Sequence, residues 1–225
     1  AQSRAGLSRI LDRLFGPSPT RAWTLTGPYG TGKSYFSLIL MNLFCAEQPG
    51  HSRAIDLLRT VDPDLTELLI SSLKLGTSYG FFAVPVASSR NALPDCLRTS
   101  LQNVLLSYQE KPVFQNLFND LTTWDSRTDS RKIIEWLDGL EKAFVISNLP
   151  FLGVVFILDE MGKLLEFSAE NPDKTDVFLF QELAEYANRS GNFPVIFIGV
   201  LHQAFERYAT LLNSAAQREW SKVQG

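Results

Sequence analysis

One stretch constrains this chain more than any other: Gly27-Pro28-Tyr29-Gly30-Thr31-Gly32-Lys33-Ser34. It fits G-x-x-x-x-G-K-[ST], a loop that cradles phosphate groups. The flanks agree with that reading. Ala22 to Leu25 is a short apolar stretch that reads as a buried strand, and Tyr35 to Leu40 is an apolar run without Pro or Gly that reads as the start of a buried helix. A polyphosphate needs converging donors, and backbone N–H groups ahead of a helix N-terminus supply them. Gly27, Gly30 and Gly32 carry no Cβ, so the backbone can curl and come close to the phosphates. Lys33 reaches the β- and γ-phosphates, and the Ser34 hydroxyl is a ligand for Mg²⁺. The candidate nucleotide contacts are therefore Gly27, Pro28, Tyr29, Gly30, Thr31, Gly32, Lys33 and Ser34, with Tyr35 beside them.

A second stretch completes the chemistry. Residues 153–160 read GVVFILDE. A continuous apolar run of this length is a strand buried on both faces, as in a parallel sheet. Carboxylates at the carboxyl end of such a strand lie where open α/β sheets bind ligands. Asp159 is then a candidate for the Mg²⁺ shell, and Glu160 a candidate base that polarises the attacking water. Another buried strand, Val195 to Val200, is followed by His202 and Gln203. A polar side chain at that point can sense the γ-phosphate; Gln203 is the first candidate and His202 the second. The expected ligands are ATP and Mg²⁺, with Glu160, Lys33 and Gln203 as catalytic residues and Ser34 and Asp159 at the metal.

Composition narrows the classes. The chain has 225 residues, 45% hydrophobic and 20% charged, enough for one large α/β domain with a sizeable core. A net charge of −3 argues against a generally basic, DNA-coating surface. Cys45 and Cys96 have neither CxxC nor metal-ligand spacing, and His51 and His202 are the only histidines. The cysteines read as reduced core residues of a cytoplasmic protein, and a multi-histidine metal site is not expected. No run of about 18 apolar residues suggests a membrane span. The chain begins without Met and stops just after a helical pattern, as expected for a fragment of a longer protein.

The remaining segments give coarse structure. Leu7, Ile10, Leu11 and Leu14 form one face of a helix over 3–15, and Gly16 to Pro19 breaks it. Asp62-Pro63 predicts a helix start with Asp62 as N-cap. Phe81 to Val86 predicts a strand, with Pro85 pointing to an edge position or a strand end. Residues 91–150 read as a mainly helical insertion, with Thr122 to Ser130 as a polar loop. Helices are expected from Met161, over Asp176 to Asn188, and within 204–222, where Phe205, Tyr208, Leu211, Leu212 and Trp220 would anchor them. Strands at 22–26, 81–86, 153–158 and 195–200 with helices between predict α/β architecture: a three-layer P-loop NTPase sandwich on a parallel sheet.

GPYGTGKS, ILDE and the strand before His202-Gln203 together resemble the additional-strand, catalytic-glutamate P-loop ATPases. Among those the chain is most similar to AAA+ proteins and their origin-recognition and STAND relatives. LDEMGKLLEF, LAEYANRS and LHQAFERYA also resemble large ATP-binding proteins of bacterial anti-phage defence operons. The resemblance implies ATP hydrolysis that remodels or moves along a partner, nucleic acid included, in a homo-oligomer or multi-protein complex. It equally implies a STAND-like nucleotide-gated switch, because the same residues serve both. Two departures stand out. The stretch between Lys33 and Asp159 is longer than a plain AAA+ core needs, and no helical lid with its second sensor arginine is visible. Arg189, Arg207 and Arg218 are the candidate arginine fingers. A small-molecule kinase is disfavoured by the Asp-Glu pair, and a GTPase by the lack of an N/TKxD-type guanine reader.

Overall fold

The computed structural model describes residues 2–14, 19–28, 30–175 and 178–203. In chain order the elements are α1 (Gln2–Leu14), β1 (Ala22–Thr26), α2 (Lys33–Phe44), α3 (His51–Val61), α4 (Pro63–Ser72), β2 (Gly80–Ala87) and α5 (Leu93–Leu105). A 3-10 turn (Leu106–Tyr108), α6 (Pro112–Leu121), α7 (Ser130–Ile146), β3 (Phe151–Asp159), α8 (Gly162–Glu170), α9 (Leu179–Arg189) and β4 (Val195–Leu201) follow. The expected helices within 204–222 lie outside the described residues.

The four strands form one parallel sheet in the order β1-β4-β3-β2. Parallel pairing requires crossovers, and the helices between the strands provide them. Consecutive residues Val154, Val155, Phe156, Ile157 and Leu158 are all buried, although alternate side chains of a strand point to opposite faces. Both faces of the sheet are therefore covered, which makes the molecule a three-layer α/β sandwich. The helix α2 packs against β2, β3 and β4, whereas α9 lies on β4 and β1. Inside the sheet Phe156 and Phe197 stack with ring centroids 4.9 Å apart.

Pro85 sits on β2 at the sheet edge, exposed, where a missing N–H costs no ladder bond. The strand β1 departs from its expected burial. It pairs only with β4 among the described residues, and its residues alternate between half-buried and exposed. Apolar composition alone does not tell how deeply a strand is covered. The helix α2 likewise keeps one face outward, with Tyr35 64% and Leu38 49% exposed.

The helical stretch α5–α7 docks on the β2 side through aromatic rings. Phe82, Phe144 and Phe151 lie with centroids 4.7 to 5.3 Å apart, and Phe114 meets Phe144 at 5.7 Å. The polar-looking loop 122–129 contains Trp124, fully buried against Trp136. Its backbone is tied down by Arg98, whose guanidinium donates to the Trp124 carbonyl at 2.6 Å.

Candidate active site

All four strands run the same way, so their carboxyl ends meet along one rim. That rim carries the glycine loop after β1, Asp159-Glu160 at the end of β3, and His202 just after β4. Because β4 lies between β1 and β3, His202 falls between the loop and the acid pair.

The loop has the backbone its glycines permit. Gly30 and Gly32 have φ values of 79° and 80°, in the left-handed region, and a Cβ built at either would meet nothing within 4 Å. Glycine is needed there for backbone conformation, while the space above stays open. Gly32 is the N-cap of α2, its carbonyl accepting from Phe36 N at 2.8 Å, and no side chain caps this end. The first N–H groups of α2 are thus available to an anion. Lys33 Nζ folds over the loop and donates to the carbonyls of Gly27 at 2.6 Å and Pro28 at 2.7 Å. Thr31 Oγ1 donates to Pro28 O at 2.9 Å and tightens the turn. Tyr29 lies outside the described residues. Tyr35 is exposed one residue beyond Ser34.

Ser34 and Asp159 come together on this rim although they are 125 positions apart in the chain. Ser34 Oγ donates to Asp159 Oδ1 at 3.2 Å. Asp159 Oδ1 also accepts the Glu160 N–H at 3.0 Å, which orients the turn that follows β3. Two hard oxygen ligands thus share one spot beside a phosphate-type loop. That set fits Mg²⁺, which keeps several waters and takes one or two protein ligands plus phosphate oxygens.

Glu160 has φ 54°, a conformation that non-glycine residues adopt uncommonly. The turn is held because Met161 N donates to Val200 O at 3.0 Å and the Met161 side chain lies over Gly199. A Cβ on Gly199 would collide with Met161 Sδ. The Glu160 carboxylate is engaged through both oxygens. Lys163 Nζ pairs with Oε2, and His202 Nε2 lies 3.7 Å from Oε1. The Lys163 hydrogen bond, with smaller help from His202, holds the Glu160 carboxyl below the usual carboxylate range.

Of the candidates read from sequence, the structure brings Lys33, Ser34, Asp159 and Glu160 to one rim, with His202 beside Glu160. Gln203 is half-buried next in the chain, and the contact with Glu160 comes from His202. Arg189 is on the surface, 3.9 Å from Glu185; Arg207 and Arg218 lie outside the described residues. Lys163 was not singled out in the sequence. The only hint was its position three residues after Glu160, where an acid and a base share a helical face.

No family model matches the chain, and no curated protein matches it. Among solved structures it is similar to the ORC2 protein of Aeropyrum pernix in its ADPNP–ADP complexes, with 14% identity and a TM-score of 0.49. The alignment covers 99% of this chain and 44% of that one, so the chain spans less than half of that protein's length. No helix among the described residues is long and apolar enough to cross a membrane.

Proposed function

We propose that this chain binds Mg·ATP and hydrolyses it. The observation that carries the reading is the 3.2 Å contact between Ser34 Oγ and Asp159 Oδ1, which joins the glycine loop to the acid pair. Lys33, released from the loop carbonyls, and the open N-terminus of α2 would hold the β- and γ-phosphates. Ser34 and Asp159 would hold Mg²⁺, which supplies charge neutralisation on the phosphate oxygens. Glu160, ionised and on the same rim, would accept a proton from the attacking water. His202 or Gln203 would contact the γ-phosphate from β4. Tyr35 is exposed beside the loop and would flank the nucleotide.

Residues 1–225 form, on this reading, one ATPase domain with a lead-in helix and linker over 1–18 and a helical insertion over 91–150. The resemblance of its motifs to AAA+ proteins supports an oligomeric machine that remodels or moves along a partner such as nucleic acid. The resemblance to anti-phage ATP-binding proteins supports a bacterial defence role. Both cysteines are buried free thiols, in keeping with the cytoplasm.

Glu160→Gln is the direct test. A general base contributes about 10²–10⁴-fold, so multiple-turnover phosphate release should fall by that factor while ATP binding persists. Unchanged turnover in a folded variant would remove Glu160 from the mechanism and, with it, this assignment.

A further inference from the structure

Glu160 must keep its carboxylate aimed at a water although the ligand beside it is a polyanion. A triphosphate repels a carboxylate, and Asp159 is already adjacent in the chain. Nothing in the loop offsets this, because Lys33 serves the phosphates. The offsetting charge stands on α8. Lys163 lies in the first turn of that helix, and its backbone N–H donates to the Glu160 carbonyl at 2.9 Å while its ammonium pairs with Oε2. Backbone and side chain of Lys163 therefore grip the same residue. The backbone of Glu160 is fixed in turn by Asp159 Oδ1, and its successor Met161 by Val200 O.

We propose that Lys163 is a positioning residue for hydrolysis: its ammonium holds the Glu160 carboxylate on the rim against repulsion from the phosphates. On this reading it acts on the reaction through Glu160. The inference rests on the ATPase reading above. The pair is a surface pair, with side chains 46% and 38% exposed, so its value is geometric and its contribution to folding is small. A carboxylate drawn away from the near-attack position loses rate steeply, because a displacement of about 1 Å can cost about 10²-fold.

The test uses the full chain and four variants, one of them double. Lys163→Met should lower kcat by about ten-fold or more, with affinity for a non-hydrolysable ATP analogue and thermal stability as in the parent. Lys163→Arg, which keeps the charge and the reach, should recover most of the rate. Glu160→Gln is the reference: in its background Lys163→Met should have no further effect on turnover. An unchanged or raised kcat in Lys163→Met, with Glu160→Gln inactive, overturns the positioning role and leaves the ATPase assignment standing. Full turnover in Glu160→Gln overturns the ATPase assignment itself. A loss of rate that Lys163→Arg does not repair, or that comes with lost analogue binding, also overturns the proposal, because either outcome means Lys163 acts on the fold or the nucleotide.

Discussion

The two ends of β3 are built on opposite principles. At its start, Phe151 is buried among Tyr79, Phe82 and Phe144, with ring centroids 4.7 to 5.3 Å away. At its finish, about 26 Å along at the usual rise per residue, Asp159 and Glu160 are half-exposed. There the interactions are charged, and Glu160 takes a left-handed backbone. The first end gains stability by removing apolar surface from water. The second keeps polar atoms aimed and reachable, and accepts backbone strain to do so. Substitutions at the two ends should therefore separate cleanly into effects on stability and effects on the nucleotide.

Lys33→Ala gives the largest separation. Removing the ammonium deletes charge-assisted bonds to phosphate, so ATP affinity should fall by about 10–100-fold. Its only described bonds are to Gly27, Pro28 and Thr31 within its own loop. Denaturation midpoints should therefore match the parent. A loss of stability in place of affinity would mean that Lys33 closes the loop rather than serving a ligand.

Phe144→Ala is the counterpart at the opposite end. Phe144 is fully buried and packs on Phe82, Phe114 and Phe151. Truncating such a ring costs about 3–5 kcal/mol in chemical denaturation. At temperatures where the variant remains folded, ATP affinity should be unaltered. A coupled fall in affinity would show that α5–α7 and the rim communicate through β3.

Gly199→Ala probes the boundary. The added methyl meets Met161 Sδ, so the Met161 side chain, next to Glu160 in the turn, must move. Overpacking of this kind costs about 1–3 kcal/mol, and turnover should fall more than affinity. If stability falls and turnover does not, the Met161 contact is packing only.

Much of this contrast was legible in the sequence because local rules and chemistry agreed there. The run GVVFILDE has no polar interruption before its acids, so strand, burial and the site end of the strand follow together. The stripe of Leu7, Ile10, Leu11 and Leu14 is buried as its spacing requires. Asp62 caps α4 by accepting from Leu65 N at 3.1 Å, with Pro63 next to it. What escaped depends on distant partners. Trp124 sits among polar residues, and only the approach of Trp136 and Arg98 buries it. The end position of β1 among the described strands follows from strand order, which apolar content does not encode. That His202 lies against Glu160 depends on how β4 is laid beside β3.

Asp129→Ala is the smallest perturbation and the sharpest control. Asp129 caps α7, its carboxylate accepting from Lys132 N at 2.9 Å, and its side chain is largely in solvent. Loss of such a cap costs about 1 kcal/mol. The helix it starts ends at Ile146, five residues before Phe151, and Asp129 is not among the residues that meet at the rim. The expected result is a small drop in denaturation midpoint with kcat and ATP affinity equal to the parent. A change in kcat from so local an event would mean that α7 is more than a buttress: its position would bear on the rim through α9, which it packs against and which lies on β4.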